Sequence, residues 1–194
     1  MDSIETTETT ETIVIKETKE AKETKETIVS ADELGCIFVD ALLEVISTLS
    51  GFTFYGVSPS GESDETEETE LKEPGENADF DSMIGVMSLT GGKKNIMVFL
   101  SAGDSDMKVL CSYMSGVSQD EVTKDDMCDT LCELVNMTAG NAKLRIGGTD
   151  CKFELSLPFA ITGGNMSVIT KKRVGVFSKV LGNSEISVKL KIIC

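Results

Sequence analysis

An α+β domain, in which helices cover a largely antiparallel sheet, is the fold class this sequence predicts, and three observations carry it. Apolar residues recur at three- and four-residue steps over 31–50 and again over 126–143, the period of an amphipathic helix. Short apolar runs bounded by glycine pairs lie between and after these stretches and read as strands. The order is therefore helix, strand, hairpin, two helices and then consecutive strands, which layers helices on a mostly antiparallel sheet.

The first 29 residues hold eight carboxylates against four lysines and are dominated by Thr and Glu. Their three-residue beat runs through Glu5, Glu8 and Glu11, then Lys16, Lys19, Lys22 and Lys25. With almost no apolar side chains to bury, this segment is expected to be a disordered arm; Ile13, Val14 and Ile15 form its strand-like run. One folded domain is expected over 30–194, a length that can bury a real core.

Leu34, Ile37, Phe38, Ala41, Leu42, Val45, Ile46 and Leu49 define the first helix, which ends at Ser50 and Gly51. Residues 52–57 read as a strand. The stretch 59–81 is read as an exposed acidic insertion, since 62–81 holds ten carboxylates against one lysine. Strands over 83–89 and 94–100 follow, with Thr90, Gly91 and Gly92 as a tight connection. A helix over 105–114 and a loop over 116–122 lead to the long helix at 126–143. Strands are then expected at 151–157, 165–170, 173–180 and 185–192, with Gly163, Gly164, Gly182 and Asn183 supplying turns. The last of these alternates Ile186, Val188, Leu190 and Ile192, which suits either an edge strand pairing with a second copy or a central strand.

The net charge of -15 is concentrated in the arm and the insertion, leaving about fifteen acidic and thirteen basic residues elsewhere. That balance excludes a broad nucleic-acid surface, which needs concentrated Lys and Arg. The cluster Lys171, Lys172 and Arg173 reads as a turn. No apolar run is long enough to span a bilayer, and no signal peptide opens the chain, so a cytoplasmic protein with reduced cysteines is expected. Cys128 and Cys132 have the spacing of half a metal site, yet the chain has no histidine and no CxxC pair, so structural thiols are expected and no cofactor is assigned to this chain. Rossmann and phosphate-loop fingerprints are absent.

At about 100° per residue, the long helix places Glu133, Asn136, Asp129, Gly140 and Asp126 on one polar stripe. Met127, Leu131, Leu134, Val135, Thr138 and Ala142 form the opposite, core-facing stripe. Asp125 or Asp126 suits the helix start, both as an acceptor for orphan amides and for the dipole. Gly140 is unfavourable within a helix by about 1 kcal/mol, which points either to close packing against a neighbouring helix or to an opening for a partner's approach.

The run DTLCELVNMTAGNAK, 129–143, resembles the signature helix of the CheC, CheX and FliY family of response-regulator phosphatases, with Asp129, Glu133 and Asn136 at the motif positions. The trailing Gly140, Asn141, Ala142 and Lys143, and the run KFELSLP at 152–158, resemble the segments that follow it in CheX. In the first helix, Asp40, Glu44 and Ser47 repeat the spacing with Ser47 replacing asparagine, a degenerate counterpart. The resemblance covers about 31–194 and implies a CheC-like fold with one long helix carrying the site. It also implies hydrolysis of the phospho-aspartate of a CheY-like receiver domain, with Mg2+ held by that partner, and a homodimer. Glu133 would dock to the receiver's lysine and Asn136 would orient the attacking water, with Asp129 and Gly140 in support. A non-catalytic binding module for a receiver or another signalling partner is the alternative, and a purely structural oligomer a more distant one.

Overall fold

A computed structural model describes residues 30–57, 71–72, 77–91, 94–146, 152–164, 166–169 and 174–194. The 1–29 arm, the cluster Lys171, Lys172 and Arg173, and the Gly92 turn position lie outside the described residues. In chain order the elements are α1 (Ala31–Ser50), β1 (Tyr55–Val57), β2 (Leu71–Lys72), β3 (Asn77–Asp79), β4 (Met83–Gly91), β5 (Lys94–Ala102) and α2 (Asp104–Ser115). They continue with α3 (Lys124–Ile146), β6 (Glu154–Leu155), β7 (Phe159–Thr162), β8 (Ser167–Ile169), β9 (Val174–Gly182) and β10 (Ser187–Ile193).

Every ladder is antiparallel, and the main sheet runs β1-β9-β10-β5-β4-β6, with β2 also on β9 and β7 also on β4. A separate two-stranded sheet joins β3 to β8. The predicted class, α+β with helices layered on a mostly antiparallel sheet, is the class observed. Alternate residues of β4 and β5, including Met83, Met87, Leu89, Val98 and Leu100, join α1, α2 and α3 in the larger core. Their neighbours Ile84, Val86 and Phe99 face the other way, into a smaller cluster closed by Phe80 and Ile193. Within the helical layer, α1 packs over β9 and β10, while α3 packs over β4, β5 and β7.

Helix α1 starts at a capping box: the Glu33 amide donates to the Ser30 hydroxyl oxygen at 3.2 Å and the Ser30 amide donates to the Glu33 carboxylate at 2.8 Å. It stops at Gly51, whose φ of 72° is the left-handed conformation that glycine adopts without strain. Residues 52–54 are not in the ladder; Phe54 is buried, and Phe52 packs on Tyr113 with ring centroids 4.3 Å apart.

The acidic stretch 59–81 departs from its reading as an exposed loop, because β2 and β3 lie inside it. Leu71 and Lys72 pair with Gly175 and Val174, and 77–79 pair with 167–169. Edge pairing needs only backbone donors and acceptors, so a carboxylate-rich composition does not prevent it. At the end of the stretch, Asp81 accepts a hydrogen bond at 3.0 Å from Ser101, a fully buried hydroxyl residue, and pairs with Lys189 at 3.8 Å.

The predicted strand over 151–157 is also corrected. Among the described residues of that stretch, Glu154 and Leu155 alone pair with β4, and pairing resumes as β7 after Pro158, which has no amide to donate. Between them, Ser156 stands in for the ladder: its amide donates to the Ser88 carbonyl at 2.9 Å and its hydroxyl accepts from the Ser88 amide at 3.0 Å. Gly91 belongs to β4 rather than to the turn, and a side chain there would meet the Lys152 carbonyl at 2.5 Å. Of the two positions open to the last strand, β10 occupies the central one, between β9 and β5.

Candidate functional site

Helix α3 is longer than the predicted 126–143 at both ends; Thr123 stands at its cap, and Asp126, one of the two aspartates expected to accept an amide there, does so. The Asp126 amide donates to the Thr123 hydroxyl oxygen at 3.2 Å, while the Thr123 amide and hydroxyl donate to the Asp126 carboxylate at 2.9 and 2.6 Å. Those two contacts hold the Asp126 carboxyl below its ordinary value of 3.8, the side-chain bond contributing most. Aspartate at the third helical position thus completes a capping box, and its charge suits the positive end of the dipole.

The buried side of α3 is the predicted one: Met127, Leu131, Leu134, Val135, Thr138 and Ala142 are all buried, joined by Ala139 and Ile146. The Thr138 hydroxyl, enclosed in this core, donates to the Leu134 carbonyl at 2.7 Å. Packing on β4 is close, since a Cβ at Gly85 would stand 3.0 Å from the Leu131 carbonyl oxygen. The opposite stripe is therefore presented on a helix seated firmly on the sheet.

On that stripe, Glu133 and Asp129 are exposed, and Asn136 and Gly140 are half-buried. Glu133 and Asn136 are three residues apart, so their side chains are surface neighbours. Among the described residues, neither side chain has a hydrogen bond or an ion pair within the chain, and the same holds for Asp129. Gly140 has no atom within 4 Å of where its Cβ would stand. Close packing against a neighbouring helix, one of its two readings, is thereby excluded among the described residues. The groups brought together are a free carboxylate, a free carboxamide and a stretch of bare backbone beyond them.

The counterpart on α1 is in a different state. Asp40 and Glu44 both pair with Arg145 from the last turn of α3, at 3.7 Å for Asp40 and in a short charged hydrogen bond for Glu44. One guanidinium thus occupies the carboxylates whose spacing mirrors Asp129 and Glu133. Sequence reasoning missed Arg145 because nothing local to α1 or α3 reveals which helices lie side by side.

Cys128 and Cys132 flank the stripe, half-buried. Burial pushes both thiols up from the ordinary value, with the Asp125 charge next in effect at Cys128 and Cys128 itself next at Cys132. A raised pKa keeps a thiol protonated and unreactive near neutral pH. Among the described residues, no group of three or more Cys, Asp or Glu side chains converges to hold a metal ion. No described helix is long and apolar enough to cross a membrane.

The same fold occurs in solved structures of chemotaxis proteins. A CheC-like superfamily protein from Shewanella sp. PV-4 superposes with a TM-score of 0.66 at 17% identity, over 82% of this chain and 96% of that one. The CheX–CheY–BeF3–Mg2+ complex from Borrelia burgdorferi contains a chain matching with a TM-score of 0.61 at 17% identity, over 85% of this chain and 97% of that one. The profile of the family described as chemotaxis phosphatase CheX matches residues 83–179, half of the sequence and the part that includes all of α3. This chain belongs to the CheX family. The CheY-P phosphatase CheX of Thermotoga maritima is 25% identical over 114 residues, covering 56% of this chain and 72% of that protein.

Proposed function

We propose that this protein hydrolyses the phospho-aspartate of a CheY-like receiver domain, with Glu133 and Asn136 inserted into the partner's site. The observation that carries the reading is the pair itself: a carboxylate and a carboxamide, unpartnered among the described residues, side by side on a rigid helix in a CheX-family chain. A CheX protein in complex with CheY, BeF3 and Mg2+ supports the choice of partner.

The chemistry asked of this chain is positioning. The Asn136 carboxamide accepts a hydrogen bond from water through its oxygen and donates through its NH2, which aims the water at phosphorus without adding charge. Attack forms the new P–O bond as the bond to the aspartyl oxygen breaks, releasing phosphate and restoring the carboxylate. Glu133 pairs with the receiver's lysine and fixes the approach; Asp129 adds negative charge beside it, and Gly140 leaves room for the partner's backbone. The divalent ion is assigned to the receiver, where it offsets charge on the phosphoryl oxygens. Residues 30–194 act as one catalytic domain, cytoplasmic like its substrate. We extend the proposal to a homodimer; if its interface extends the main sheet, an outer edge must serve, because β10 is paired on both sides.

Phosphate release from a phosphorylated receiver domain, followed with wild type, Glu133→Ala and Asn136→Ala, tests the proposal. Wild type is expected to accelerate release, Asn136→Ala to lose about a hundredfold or more of that acceleration, and Glu133→Ala to weaken binding most strongly at low salt. A fully active Asn136→Ala would remove its role as water-orienting group. Phosphorylation-dependent binding without faster release would identify the chain as a binding module instead.

A further inference from the structure

We infer that Leu144 is a docking residue for the receiver domain, an apolar anchor at the far end of the ridge that carries Glu133. This deepens the proposed function and rests on it for the identity of the partner. Leu144 is 78% exposed, although the two residues that follow it in the last turn are engaged: Arg145 with α1, and Ile146 in the core. At 3.6 residues per turn it stands about 20° from Glu133 around the helix and about 16 Å along it, on the crest opposite the buried side. Its exposure is therefore not the fraying of a helix end; the backbone beneath it is packed.

Gly140 lies between the two, one turn before Leu144, with open space where a side chain would be. The crest thus reads in order as carboxylates at Asp126, Asp129 and Glu133, a bare segment at Gly140, and a leucine. None of those carboxylates has a basic partner among the described residues, so the matching surface is basic opposite Glu133. About three turns along, the same surface must offer an apolar patch to Leu144. A single folded domain that places its lysine against Glu133 covers this span on one face, and the receiver domain is that occupant. Desolvating a leucine at the edge of a charged contact contributes to residence time and not to chemistry, which separates its role from that of Asn136.

The test uses the full chain and a CheY-like receiver activated with beryllofluoride and Mg2+, with dissociation constants measured for wild type, Leu144→Ala, Leu144→Met and Leu157→Ala. Leu157 is 86% exposed and lies in the segment between β6 and β7, so it controls for loss of any exposed leucine. Leu144→Ala is expected to weaken binding about tenfold and to raise KM for the phosphorylated receiver by the same factor with kcat unchanged; Leu144→Met is expected to stay within about threefold of wild type. Leu157→Ala should leave binding as it is. Equal effects at 144 and 157, or a Leu144→Ala within twofold of wild type, overturn the inference. A wild type that binds the activated receiver without accelerating phosphate release defeats the catalytic reading alone, and the ratio of dissociation constants still judges Leu144.

Discussion

At Gly140 an alanine side chain would meet nothing within 4 Å, so the substitution carries no steric penalty inside the chain. Helix propensity then favours Ala by about 1 kcal/mol, which in a protein of this size raises Tm by about 2–4 °C. Gly140→Ala is expected to be more stable and yet slower toward a phosphorylated receiver, because the methyl group fills the opening beside Asn136. Calorimetry and phosphate release on the same sample check both halves; a variant that is stabilised and fully active would show that the opening serves no partner. Helical period placed Glu133, Asn136 and Gly140 on one stripe, but their choice as a site rests on the resemblance of 129–143 to the family's signature helix. Leu144 and Arg145 were not legible in the sequence, since the predicted helix ended at 143 and left both outside it.

Helix α3 owes its start to a reciprocal pair, and the pair defines a pH dependence. Because the folded carboxyl of Asp126 sits below 3.8, its contribution is complete above that value and is lost as pH falls through the folded value. Thr123→Ala removes the cap and is expected to destabilise the protein by about 1 kcal/mol at neutral pH. Urea unfolding of wild type and variant should show that difference narrowing only below pH 3.8; a difference that narrows near pH 6 would assign the effect to another group. Arg145→Ala should matter less. Its partners are 60–68% exposed on their side chains, and surface ion pairs contribute about 0–1 kcal/mol, so Tm should move by no more than about 4 °C. The existence of both long helices was readable from periodicity, whereas the true cap was not, because Thr123 and Asp125 both fit the N-cap preference and only the hydrogen bonds choose between them. The same limit applied to 151–162, where apolar alternation ran through Pro158 and hid the change from β6 to β7.

For the molecule as a whole, the sheet order sets how far the acidic insertion can act. Its densest carboxylates, 62–69, fall between β1 and β2, which both lie on the outer edge of β9, under the α1 half of the layer, while α3 covers β4, β5 and β7. Five strand spacings separate β1 from β7, about 24 Å, against a screening length of about 8 Å at physiological salt. Neutralising the carboxylates over 62–69 is therefore expected to change the association rate with a receiver by less than about twofold at 0.15 M salt and more at 0.01 M. Stopped-flow measurement at both salts checks this, and a large effect at the higher salt would place the insertion closer to the contact than β1 and β2 suggest. The substitution stops at 69 because 71–72 and 77–79 are strands, a fact the dense charge concealed. Fold class and strand content were readable from glycine-bounded apolar runs; strand order was not, since register and neighbours are set by contacts far apart in sequence. That order has a consequence on the ribosome. β5 and β9 meet only through β10, which is made after both, so β5 carries an unpaired edge from its own synthesis until β10 follows, whereas β9 is made only just before its partner. The nascent sheet stays in two pieces until 187–193 emerge, and the interval before they do is when the chain most needs a chaperone.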